Sequence, residues 1–174
     1  MIAGATRSRR WAGLLVPLFS CCSTRGWGIG EFGDLPGLAD WMRGAGLATL
    51  QLLPLNEMAL GQRSPYSALS AMALDPIFIT VPTVTEFAAM GGENGLDTAM
   101  GGTLAHVRAR PGVDYWAVRK LKNLALRKCF ARFLDVEWVR DTPRALELRT
   151  FIREQAWWLD DYALFRAARH AVKG

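Results

Sequence analysis

The stretch Leu50–Val81 reads LQLLPLNEMALGQRSPYSALSAMALDPIFITV, and the fold turns on how it is read. It opens with Leu50-Gln51-Leu52-Leu53-Pro54-Leu55 and closes with Ile77-Phe78-Ile79-Thr80-Val81. Apolar runs this short suggest strands buried on both faces, as in a parallel sheet. Between them lie Asn56, Glu57, Gln62, Arg63, Ser64, Tyr66, Ser67 and Ser70, polar groups that no core position requires. In parallel α/β folds the loops leaving the C-terminal ends of strands build the binding site. The site is therefore expected in this connection.

Working back toward the N-terminus, Gly13–Phe19 reads as an earlier strand. Arg7, Arg9 and Arg10 ahead of it mimic the basic region of a signal peptide, and Leu18-Phe19-Ser20-Cys21 mimics a lipoprotein cleavage box. The strand reading is preferred because the following residues continue one coherent pattern. Gly26, Gly28, Gly30 and Gly33 crowd four glycines into eight residues and force a loop. Their spacing is not G-x-G-x-x-G and no G-K-[ST] follows, so a structural loop is expected rather than a phosphate cradle. Asp34 is placed as an N-cap, and Leu35, Leu38, Ala39 and Met42 share one helical face over Leu35–Arg43. With Ala48–Leu55 as the next strand, one βαβ unit is complete.

Length and composition bound the rest. The 174 residues, about half of them apolar, suffice for one domain with a real core. They fall short of the ~250 residues typical of a complete (β/α)8 barrel. The net charge of +5 is scattered from Arg7 to Lys173, without the aromatic-interleaved basic stripe of a nucleic-acid binder. No run approaches the ~18 apolar residues of a membrane span. Cys21, Cys22 and Cys129 form an odd set without C-x-x-C spacing, which disfavours a secreted disulfide framework and fits the cytoplasm. His106 and His170 stand alone, so neither a metal nor a cofactor is expected.

Beyond Val81, Thr85–Pro111 is rich in glycine and small residues and reads as an irregular insertion with one short helix. Helical periodicity returns over Val113–Leu134 and again over Arg144–Ala171. Trp157, Trp158 and Tyr162 suit a sugar-stacking platform, but their helical spacing beside Leu159 and Phe165 favours core positions. Asp160 and Asp161, adjacent on a helix, do not face each other as a catalytic pair would.

Four blocks carry a family resemblance: Leu15–Ser20, Gly28–Asp34, Gln51–Leu55 and Ser64–Ala71. In order and spacing they resemble the amylomaltases, bacterial and plant 4-α-glucanotransferases of glycoside hydrolase family 77. The similarity resumes at Val113-Asp114-Tyr115 with Lys120, and at Trp158–Phe165. This chain departs from the family at Gln62-Arg63, where Gly-Asp is commoner, and at Asp75, where Asn is commoner.

The resemblance implies that residues 1–174 form the N-terminal portion of a catalytic barrel, an α/β partial (β/α)8 barrel with a helical insertion. An open partial barrel would leave apolar faces uncovered. The implied chemistry is retaining transfer of α-1,4-glucan segments between maltooligosaccharides, with one carboxylate as nucleophile and another as acid. The family carries these in Arg-x-Asp-His and Glu-Asp-Leu-Gly contexts, neither of which occurs here. No catalytic residue is therefore assigned, Asp75 and Asp161 included, and the chain alone is expected to be inactive. Ser64 and Tyr66 match the family's Ser-Pro-Tyr, which implies contact with glucose units. A phenol supplies a flat apolar face and a hydroxyl for a pyranose. Two alternatives stay open: Tyr66 as a plug at the barrel rim, and the whole chain as a non-catalytic glucan-binding or structural fragment.

Overall fold

The computed structural model describes residues 11–59, 61–62 and 64–171; Arg7, Arg9, Arg10 and Arg63 lie outside them. In chain order come β1 (Gly13–Val16), α1 (Leu35–Gly44), β2 (Thr49–Leu52), α2 (Thr85–Ala89), α3 (Thr98–Ala109), α4 (Tyr115–Phe133) and α5 (Pro143–Ala171). β1 and β2 pair in parallel, with Gly13 opposite Thr49 and Val16 opposite Leu52. The βαβ unit read from the sequence is present, with both strands shorter than expected. Proline has no N–H to give a ladder. β1 accordingly ends before Pro17 and passes into a 3₁₀ turn at Leu18–Ser20, and β2 ends before Pro54. The strands alternate exposed and half-buried residues, so the expectation of burial on both faces fails within this chain.

The third expected strand, Ile77–Val81, is not a strand. Pro76 and Pro82 open 3₁₀ turns at Pro76–Phe78 and Val81–Thr83 instead. Its apolar residues are still core: Ile77, Phe78 and Val81 are buried beside Val118, Leu121 and Ala125 of α4. Lys122, on the same helix, takes the hydrogen-bonding role that a neighbouring strand would have filled. Its ammonium donates to the carbonyls of Ile77 at 2.6 Å and Ile79 at 2.9 Å, and pairs with Glu31 at 2.7 Å. Burial pulls the Lys122 ammonium below its ordinary value, against the pull of Glu31. Each of these polar groups is thereby satisfied inside the core.

Residues 85–111 are more ordered than the sequence suggested. α2 and α3 flank a 3₁₀ turn at Gly92–Gly95, and Phe87, Met100, Leu104 and Val107 join the core with α4. Asp97 caps α3 by accepting from the Met100 N–H at 2.9 Å, and Asp114 caps α4 through the Ala117 N–H at 3.1 Å. Asp34 precedes α1 as expected, but its carboxylate turns back to accept from the Glu31 N–H at 2.8 Å. A π turn at Leu134–Trp138 separates α4 from α5.

α5 corrects another expectation. Trp157 is 70% exposed and Leu164 71%, so the apolar face of this helix is largely uncovered. Trp158 and Tyr162 are half-buried with ring centres 5.9 Å apart. Leu15 and Trp11, at the other end of the chain, are exposed as well.

Candidate functional site

Because β1 and β2 run in parallel, the loops that leave them emerge at one end of the sheet. The β1 loop folds back into the core. Trp27 and Ile29 are fully buried, and Trp27 packs edge-on against Phe87 with ring centres 5.5 Å apart. Gly30 permits this: a Cβ there would sit 1.9 Å from the Leu18 carbonyl oxygen. Arg108 of α3 ties the loop down, donating to the Gly26 and Arg25 carbonyls and forking onto Glu93 at 2.7 and 2.8 Å. The Arg108 fork, helped by the Trp27 indole N–H, holds the Glu93 carboxyl below its ordinary value. This supports the structural reading of the glycine loop.

The β2 loop, which carries Ser64 and Tyr66, is pinned at its base by two buried carboxylates. Asp75 is fully buried. It accepts from the Ile77 N–H at 3.0 Å and the Met58 N–H at 3.2 Å, and takes a two-pronged fork from Arg119 of α4 at 2.8 Å each. Glu57 is 3% exposed and meets two residues of α5, the Tyr162 hydroxyl and the Arg166 guanidinium, the latter at 2.6 Å. Burial raises the Glu57 carboxyl above its ordinary value, opposed by Arg166. Tyr162 and Arg166 lie four residues apart, on one helical face.

From this base the two limbs of the loop zip together. The Leu69 N–H donates to the Glu57 carbonyl at 2.7 Å, Met58 bridges Ala68, and the Ala59 N–H donates to the Ser67 carbonyl at 3.2 Å. At the tip, Ser64 Oγ accepts from the Tyr66 N–H at 3.3 Å and its carbonyl from the Ser67 N–H at 3.1 Å. Tyr66 is 73% exposed, so its ring fills no core space here.

Beside the loop, a cleft of about 630 Å³ is walled by Gly61 and Gln62 on one side and by Tyr115, Trp116, Arg119 and Asn123 of α4 on the other. Trp116 is 73% exposed, and the Lys120 ammonium stands 5.1 Å from its ring centre. Ser64 and Tyr66 stand outside this cleft.

Sequence reasoning grouped Glu57 with the loop's polar residues and set Asp75 aside, but it missed both clamps. The signals were a buried-type apolar context around Asp75 and the i, i+4 spacing of Tyr162 and Arg166. Neither names its partner. Asp160 and Asp161 are exposed neighbours on α5 and form no pair. Among the described residues no group of His, Cys, Asp and Glu is arranged to hold a metal, and no helix is long and apolar enough to cross a membrane.

The family profile described as 4-alpha-glucanotransferase matches residues 16–174. The chain belongs to the 4-alpha-glucanotransferase family. It is 28% identical over 162 residues to the 4-alpha-glucanotransferase of Chlamydia caviae, covering 93% of this chain and 29% of that protein. The Synechocystis sp. 4-alpha-glucanotransferase is 32% identical over 168 residues, covering 95% of this chain and 30% of that protein. The crystal structure of amylomaltase from Corynebacterium glutamicum superposes with a TM-score of 0.71 at 24% identity. It covers 94% of this chain and 23% of that one. This member of the family thus shares the amylomaltase fold along its length and spans less than a third of these relatives.

Proposed function

We propose that residues 1–174 form the N-terminal portion of a 4-alpha-glucanotransferase barrel, with β1 and β2 as the first strands of a (β/α)8 sheet. The β2 loop then serves as part of the glucan-binding rim. The observation that carries this reading is the exposed Ser64-Pro65-Tyr66 tip. It is held at the C-terminal end of a parallel strand in a chain that matches the family from residue 16 onward. Pro65 limits the backbone freedom of its neighbours and helps aim both side chains.

The substrates are maltooligosaccharides and α-1,4-glucans rather than nucleic acid or membrane, and the compartment is the cytoplasm. The reaction is a retaining double displacement. A carboxylate attacks the anomeric carbon and a second carboxyl protonates the departing oxygen, the two about 5–5.5 Å apart. An acceptor sugar hydroxyl then displaces the enzyme carboxylate. Both acids belong to a part of the enzyme outside residues 1–174, since neither family context for them occurs in this sequence. Ser64 and Tyr66 bind the substrate and take no part in bond breaking.

Maltotriose incubation tests this. A longer glucanotransferase carrying this chain at its N-terminus should yield glucose plus longer maltodextrins, and the 174-residue chain alone should yield none. Disproportionation by the purified short chain would overturn the placement of the acids. No transfer by the longer protein would overturn the function.

A further inference from the structure

Tyr162 belongs to one of the sequence blocks that support the family reading, yet that reading assigns it no role. α5 is exposed along most of its length, and Tyr162 and Arg166 reach from it to the side chain of one buried residue, Glu57. Glu57 is also the first residue of the hydrogen-bonded base of the β2 loop. Its N–H donates to the Ala73 carbonyl at 2.9 Å and its carbonyl accepts from Leu69. The ladder running outward from it, through Met58–Ala68 and Ala59–Ser67, ends beside Tyr66. A displacement of Glu57 is therefore carried by backbone hydrogen bonds to within a residue of the exposed ring. Arg119 of α4 holds the same base through Asp75, which fixes the Met58 N–H.

We infer that Tyr162 and Arg166 are positioning residues for the Ser64 and Tyr66 loop, acting through Glu57, so that α5 joins α4 in clamping the base of the loop. For substrate orientation this rests on the glucan-binding reading of that loop. For loop order it stands on the geometry alone. A hydrogen bond to an ionised, buried acceptor contributes more than one between neutral groups. Its loss should loosen the ladder without dissolving the core, which is built on α2, α3 and α4.

The test is amide hydrogen exchange on the full 174-residue chain, comparing wild type with Tyr162→Phe, Arg166→Gln and the double variant. Asp161→Asn, an exposed neighbour, serves as control. Exchange across residues 57–69 should quicken roughly tenfold in Tyr162→Phe, with α4 amides unchanged and the control like wild type. Unchanged exchange in 57–69 overturns the inference. An equal rise throughout the chain also overturns it, since that marks a purely structural role. Should the double variant fail to fold, Glu57→Gln keeps the volume and an acceptor for Tyr162 while removing the charge facing Arg166. It should loosen the same segment, and no loosening counts against the clamp. Maltoheptaose binding to a longer glucanotransferase carrying this chain, with the same substitutions, is the second readout, with affinity expected to fall by a similar factor. If wild type binds no maltoheptaose, the glucan reading falls, and the exchange data still decide the clamp.

Discussion

Asp75 is a fully buried carboxylate with four hydrogen bonds, and its replacement by Asn, the commoner residue of the family at this position, gives a sharp prediction. The amide of Asp75→Asn can still accept from the Ile77 N–H. Its NH2 faces both the Met58 N–H and the Arg119 guanidinium, donor against donor, and only Arg119 can turn outward, its side chain being already 19% exposed. The loss is that of charge-assisted hydrogen bonds, about 1.5–3 kcal/mol. Asp75→Ala leaves the Met58 N–H unpartnered as Asp75→Asn does and adds the lost Ile77 cap, ~1 kcal/mol. Arg119→Met leaves the carboxylate buried without its cation and should cost about 3–5 kcal/mol.

Urea unfolding at neutral pH measures all three. At a slope of roughly 2 kcal/mol/M, Asp75→Asn should shift the midpoint by about 1 M. Combining it with Arg119→Met should cost at least ~1 kcal/mol less than the sum of the singles, because the second change no longer strands a charge. Additive costs, or an Asp75→Asn midpoint within ~0.2 M of wild type, would refute this account of the pair.

Three further outcomes are expected. In a longer glucanotransferase carrying these residues, Tyr66→Phe and Ser64→Ala should each cost ~0.5–1.5 kcal/mol, up to about tenfold. Tyr66→Ala should cost more, with the loss in KM and kcat spared if the contact is equal in ground and transition states; maltotriose kinetics checks this, and unchanged values would remove the contact. Gly30→Ala drives a Cβ onto the Leu18 carbonyl, so its urea midpoint should show destabilisation of about 3 kcal/mol or more. Arg144 and Arg108 hold the Glu86 and Glu93 carboxyls below their ordinary 4.5 through hydrogen bonds. Their contribution to stability is thus complete above about pH 4.5 and lost as pH falls through the lowered folded values. A urea midpoint followed against pH should show Glu93→Gln flattening that acid limb.

What the sequence by itself determined is the local order of this protein. The βαβ unit, the start of α1 at Leu35 and the span of α5 all follow from short-range periodicity and backbone chemistry, whereas both strands stop short of the expected ends near Pro17 and Pro54. The family blocks, Ser64-Pro65-Tyr66 among them, are likewise local strings. Tertiary structure alone decided which charged groups meet. Ile77–Val81 has the composition of a strand, but its flanking prolines and the Lys122 ammonium, 43 to 45 residues away, leave it as 3₁₀ turns under α4. The pairing of Glu57 with Tyr162, 105 residues apart, and of Asp75 with Arg119, 44 apart, has no local signature. Trp157 kept its helical spacing and lost its expected burial, because periodicity names a face of a helix and not what covers it. Burial and ion pairing depend on segments brought together from across the chain, and packing alone supplies that information.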